Sequence, residues 1–176
     1  MSIFKKWAEK EYSLALQLAA TAGGATIFAL LIPSVFLRFG PALDQQWGVQ
    51  IEPVNLLWRV AGSVFLLIGI FFAVWSIADQ LTRGKGTPIP AIATQKLLVH
   101  GPFQYSRNPM VFGTSLAYLG LSFYMASLSM VLFSLAFAAL FILYIKLVEE
   151  KELLERFGES YREYAHSTPF FIPKAR

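Results

Sequence analysis

Two short polar motifs carry most of the groups in this chain that are able to do chemistry. The first is Gly101-Pro-Phe-Gln-Tyr-Ser-Arg-Asn-Pro109, and the second runs Glu149-Glu150-x-x-Leu153-x-x-x-Phe157-Gly158-x-x-Tyr161-x-x-Tyr164. Asn108 and Pro109 stand directly before an apolar run, and asparagine at the N-cap with proline at the first helical position is a favourable helix start. Such a start presents free backbone N–H groups and a positive dipole end to an anion, and Arg107, one residue outside, adds charge-assisted hydrogen bonds. A carboxylate is the natural guest. In the second motif Glu150, Leu153, Phe157, Tyr161 and Tyr164 recur at helical spacing, which predicts one face carrying a carboxylate and then an apolar, aromatic strip. Glu149 and Glu150 lie about 100° apart on such a helix, so at most one of them points into a shared pocket. A carboxylate desolvated at a membrane boundary calls for a cation, supplied by the protein or by a ligand. Together the motifs suit a zwitterion bearing both an ammonium and a carboxylate. Glu149 and Glu150 also admit a plainer role, balancing Lys146, Lys151 and Arg107 as a solvated charge cluster.

What brings the two motifs together is the segment between them. Residues 110–148 contain a single charge, Lys146, and are too long for one membrane crossing but adequate for two short ones reversing near Tyr124 to Ser129. A chain that crosses and returns puts both motifs on one side of the membrane. The composition agrees: 56% of residues are apolar, 15% are charged and the mean hydropathy is +0.53, which places the chain among integral membrane proteins. With no cysteine and two histidines, thiolate chemistry, disulfides and a His-rich metal cluster are excluded. Arg83-Gly-Lys-Gly-Thr-Pro-Ile-Pro90 lacks the spacing and the Ser or Thr of a phosphate loop. Neither a metal nor a nucleic acid is expected as a partner.

Four spans are predicted, at residues 14–37, 54–77, 109–124 and 128–148. Ile3, Phe4 and Trp7 beside Lys5, Lys6 and Lys10 suggest a short interfacial helix, with a disordered basic tail as the alternative. Residues 38–53 read as a polar connection, and Arg59 as an interfacial anchor. The expected architecture is an all-α polytopic membrane bundle in one domain, 1–176, with about four transmembrane helices and short interfacial ones. Lysines and arginines concentrate before the first span, between the second and third, and after the fourth, which puts both termini and both motifs on the cytoplasmic side. In a prokaryote that membrane is the cytoplasmic membrane.

Read together, Leu98-Val99-x-Gly101-Pro-Phe-x-Tyr105-x-Arg107-Asn108-Pro109-x-x-x-Gly113 and the Glu149–Tyr164 motif, closed by Phe171-Ile172-Pro173, resemble the isoprenylcysteine carboxyl methyltransferase family and its phospholipid N-methyltransferase relatives. The resemblance covers the part from about Thr87 to Pro173. It implies a membrane-embedded methyltransferase that uses S-adenosylmethionine and acts on a lipophilic substrate or lipid. It further implies that the backbone of Leu97, Leu98, Val99, His100 and Gly101 lines the adenosine, that Gln95, Tyr105, Pro109 and Gly113 belong to the cofactor-binding part, and that Arg107, Asn108 and one of the two glutamates hold the methionine end. His100 has a second reading as a polar turn residue, and Gly113 as a helix-packing residue. A carboxylate acceptor needs no general base and Arg107 would orient it; an amine acceptor must lose a proton, and Glu149 or Glu150 becomes the base. A phospholipid amine as acceptor, and a non-catalytic lipid- or partner-binding protein, remain alternatives. The chain departs from the family at Asn108, where histidine is common, at Gln95, where characterised isoprenylcysteine enzymes have a histidine, and at Phe103 and Val111, which replace tyrosines.

Overall fold

The computed structural model describes residues 12–49, 56–88, 92 and 94–174. The suggested helix around Ile3–Lys10, the expected start of the second span at Val54, and Pro90 lie outside the described residues. Among the described residues the fold is made of five long or medium helices and a short 3-10 turn at Gly101–Gln104, with no strand. We label them α1 (Leu14–Gln46), α2 (Leu56–Thr82), α3 (Pro109–Tyr124), α4 (Leu128–Phe157) and α5 (Glu159–Ser167). Thr26–Leu31 in α1 and Ile145–Glu149 in α4 are π-helical turns, a local widening frequent beside functional sites.

Three of these helices, α1, α2 and α4, are long and apolar enough to cross a membrane. The expected third span forms with its expected bounds as α3, but its 16 residues reach only about 24 Å, short of a bilayer core of about 30 Å. Its place is fixed instead by contact with α2. A Cβ at Gly69 would sit 2.4 Å from Ala117 N and 2.5 Å from Gly113 O, and one at Gly62 would sit 2.7 Å from Gly120 O. The two helices therefore run antiparallel with their backbones in contact, the arrangement that small residues permit in a membrane.

Beyond residue 37 the structure corrects the sequence reading, because α1 does not give way to a polar connection but continues to Gln46. Phe36, Gly40 and Asp44, four residues apart, are buried on one face. Gly40 lies against Met130, and the Asp44 carboxylate accepts hydrogen bonds from Ser127 Oγ (2.5 Å), Ser129 N (2.9 Å) and Ser129 Oγ (2.6 Å). Asp44 thus caps the start of α4 from another helix, where free N–H groups and the positive dipole end favour a carboxylate. That anchor offsets the hydrogen bond lost at Pro41 in the helix interior. The α3–α4 reversal falls at Met125–Ser127, inside the expected window, with Ala126 in the left-handed region at φ 48°.

A second correction concerns the predicted acidic and aromatic strip, which is not one helix. α4 runs through its π turn to Phe157, Gly158 takes φ 55°, and α5 leaves in a new direction. The strip nevertheless meets itself: Tyr161 and Tyr164 of α5 pack with Phe103, and Leu153 and Phe157 of α4 join them. Tyr164 Oη donates to Phe103 O at 2.7 Å, which ties α5 to the first motif. At the far end of the bundle a separate core forms from Phe36, Tyr118 and the fully buried Met130.

Candidate active site

Residues 105–108 and the C-terminal segment lie side by side. Arg107 N donates to Pro169 O (2.9 Å), Asn108 Nδ2 to Phe170 O (2.8 Å), Ser106 Oγ to Phe171 O (2.8 Å) and Lys174 N to Tyr105 O (3.0 Å). Asn108 holds the N-cap position and Pro109 the first helical position, as the sequence suggests, but the Asn108 side chain is spent on the strap and makes no cap bond. Its backbone N–H donates instead to Ser106 Oγ at 3.1 Å. The start of α3 is therefore left without a side-chain cap.

Across from it, Arg107 Nη1 is hydrogen-bonded to Glu150 Oε1 of α4, and the two motifs meet. Lys146 Nζ binds the other carboxylate oxygen of Glu150 at 2.9 Å. Tyr161 Oη donates to Glu150 Oε1 at 3.3 Å and lies 3.5 Å from Arg107 Nη1. Burial, with the Glu150 charge beside it, pushes the Tyr161 phenol up to about 12, so near neutral pH it stays protonated and keeps donating. Glu150 is thus fully engaged. Arg107 uses only Nη1, and its Nε is buried with no hydrogen-bond partner. The Nε and Nη2 edge of a guanidinium is a two-donor fork matched to a carboxylate.

Arg107, Asn108 and Pro109 line a cavity of about 880 Å³, and Glu149 lines it too, whereas Glu150 does not. Among the described residues Glu149 makes no hydrogen bond or ion pair. The cavity is therefore lined by an arginine that is hydrogen-bonded through Nη1 alone and by a carboxyl group without a counter-ion. Away from this polar end the walls are apolar: Ala25 and Phe28 of α1 face Phe137, Leu140 and Phe141 of α4. Tyr118 Oη donates to Phe28 O in the π turn at 2.5 Å, and the rings of Phe28, Phe137 and Phe141 pack edge to face or tilted.

Of the residues singled out from the sequence, Arg107, Glu150, Glu149, Asn108 and Pro109 come together. Others stand apart from the cavity. Leu97, Leu98 and Val99 pack onto the Phe103–Tyr161–Tyr164 cluster. His100 is exposed, and Gly101, with φ 59°, lies against the buried Asp79 carboxylate. Tyr105 sits near Trp75 (ring centroids 6.2 Å apart), and the Gln95 backbone N–H donates to Gly84 O at 2.8 Å. Gly113 is wedged against α2, where a Cβ would lie 2.6 Å from Ala73 N, so its packing role is the one observed. Sequence reasoning missed the buried Glu152–Arg156 pair (3.0 Å), whose two residues line the cavity. Their i, i+4 spacing, at unassigned positions of the second motif, was the available signal. It also missed Gln80 and Thr21, cavity-lining residues each with an unpaired buried oxygen, and no pattern in the sequence marks them.

An all-helical chain with three helices long and apolar enough to cross a membrane, and an ion-paired polar cluster beside a largely apolar cavity, falls in the class of helical membrane proteins. More narrowly, the chain belongs to the phospholipid methyltransferase family, whose model matches residues 57–160, the stretch that holds nearly all of α2, all of α3 and α4, the first motif and the second as far as Gly158. It is also similar to Methanethiol S-methyltransferase 2 of Bradyrhizobium diazoefficiens, with 27% identity over 188 aligned positions that cover 97% of this chain and 65% of that protein. The chain thus spans just under two thirds of the length of that relative. No solved structure matches it significantly.

Proposed function

We propose that the protein methylates a lipophilic acceptor with S-adenosylmethionine as donor, and that the donor's methionine end lies between Arg107 and Glu149. The supporting observation is the pairing of Arg107 with Glu150 across the start of α3 and α4, which brings Arg107 and the unpaired Glu149 to the lining of one cavity. A zwitterion suits that lining. Arg107 would receive its carboxylate, the uncapped start of α3 would add a favourable dipole, and Glu149 would accept from its ammonium. Bound there, S-adenosylmethionine supplies a methyl group already activated on its sulfonium. The residues then have only to position and shield, which is the larger part of such a reaction's demand on a protein. In this reading Glu150, Lys146 and Tyr161 orient Arg107, and Glu149 touches the donor. The cavity-lining residues lie within 87–173, apart from Ile77 and Gln80 of α2 and the residues contributed by α1.

The apolar arm between α1 and α4 would take the acceptor. Its walls favour an apolar molecule that partitions into the bilayer, and a cytoplasmic donor implies that the charged end faces the cytoplasm. The relative's name indicates a thiol as its acceptor, and a sulfur nucleophile suits an arm with few polar groups, since a thiol is less costly to desolvate than an amine or a phosphate-bearing head group. The experiment is calorimetry of the detergent-solubilised protein with S-adenosylhomocysteine, followed by methyl transfer from isotope-labelled donor into a lipid extract and identification of the labelled product. Saturable binding and a labelled lipophilic product are expected. Absence of binding would remove the donor assignment, and a labelled amine lipid would move the acceptor to the phospholipid class.

A further inference from the structure

Phe170 belongs to neither polar motif, yet its ring touches both cations that hold Glu150. Lys146 Nζ lies 3.9 Å from the ring centroid and Arg107 Cζ 5.4 Å from it. The backbone carbonyl of the same residue accepts from Asn108 Nδ2 at 2.8 Å, and the strap on either side is bonded to Ser106, Arg107 and Tyr105. The backbone that carries the ring is therefore fixed by contacts that do not depend on the ring itself.

A geometric problem gives that placement a purpose. Arg107 lines the cavity as a long side chain whose guanidinium can turn about its own bonds. An unrestrained guanidinium would present a different edge to each arriving carboxylate. Glu150 and Tyr161 hold Arg107 by Nη1 alone, which fixes a point but not the plane of the group. An aromatic face beneath a guanidinium restrains the plane as well.

We infer that Phe170 is a positioning residue that holds the plane of the Arg107 guanidinium and so orients it toward the carboxylate of the donor. This rests on the donor assignment made above. The C-terminal strap is then part of the site although it contributes no charged side chain to the cradle.

The test uses the detergent-solubilised full chain, two ligands and three variants. S-adenosylhomocysteine carries the carboxylate that Arg107 would hold, and its decarboxylated analogue, which keeps the ammonium and the nucleoside, does not. Phe170→Leu keeps apolar bulk and loses the aromatic face, whereas Phe170→Tyr and Phe170→Trp keep a face. Phe170→Leu is expected to weaken S-adenosylhomocysteine by about 3- to 30-fold, the range for loss of a cation–π contact. The same variant should leave the decarboxylated analogue unchanged, and Phe170→Tyr or Phe170→Trp should restore wild-type affinity. Equal losses on both ligands, or wild-type affinity of Phe170→Leu for both, would overturn the inference. Failure of the wild-type protein to bind either ligand would instead bring down the donor assignment, and this inference with it.

Discussion

The two adjacent glutamates should respond in opposite ways to the same substitution. Glu149→Gln removes a carboxyl group that has no protein partner, so the fold loses no ion pair and stability should hold or rise slightly as the cost of burying an ionisable group disappears. Its cost should fall on the donor. A hydrogen bond to a charged group contributes about 1.5–3 kcal/mol, which at about 1.4 kcal/mol per tenfold is a 10- to 140-fold loss of affinity for S-adenosylhomocysteine. Glu150→Gln leaves Arg107 and Lys146 without their shared anion, and Arg107, 14% exposed, is left as an insufficiently paired charge. Removing one member of a fully buried pair costs about 3–5 kcal/mol, and the partial exposure here, with the oxygen that glutamine retains, brings the expected loss of stability to about 1–3 kcal/mol. The assays are isothermal calorimetry and thermal unfolding, both in the same detergent. An S-adenosylhomocysteine analogue without the amine provides the control, since Glu149→Gln should leave its affinity unchanged. If Glu149→Gln unfolds the protein as readily as Glu150→Gln while binding the complete ligand normally, the division of labour between the two is refuted.

Two further perturbations probe the scaffold. Asp44→Ala removes the acceptor of three hydrogen bonds at the start of α4 and should cost about 3 kcal/mol, with Asp44→Asn costing less, as read from thermal unfolding in detergent. Gly69→Ala forces a methyl group against the backbone of α3 and should destabilise by about 1–3 kcal/mol, while Gly23→Ala, inside α1 with nothing within 4 Å of the added atom, should be neutral or stabilise by up to about 1 kcal/mol in the same measurement.

The meeting of the two motifs was readable because it needed only a long apolar stretch and a reversal. The bounds of α3 followed from Asn108-Pro109 at one end and the loss of apolar character at the other. The choice between Glu149 and Glu150 was not readable, since the 100° rule assumes an α-helix and the π turn ends on Glu149. Gly158 looked like one more residue of a periodic strip, and only its left-handed φ shows the break. The extension of α1 past Arg38 depended on Ser127 and Ser129, over 80 positions away in the chain, where no local pattern reaches. The placement of Leu97–Val99 behind Phe103 likewise came from tertiary packing with α5.

The π turn in α4 also marks where this helix tolerates a change of length. A π turn takes in a surplus residue while the helix beyond it stays aligned with the helix before it. Loss of Leu147 would let Ile145–Glu149 wind as ordinary α-helix and leave Glu152, Arg156 and the rest of the distal face aimed as they are. Loss of Ala138, in the regular part of α4, has no such reserve: everything downstream would rotate by about 100° and Glu150 would turn away from Arg107. Folding yields of the two single-residue deletions would show the contrast, with the first recovered and the second not.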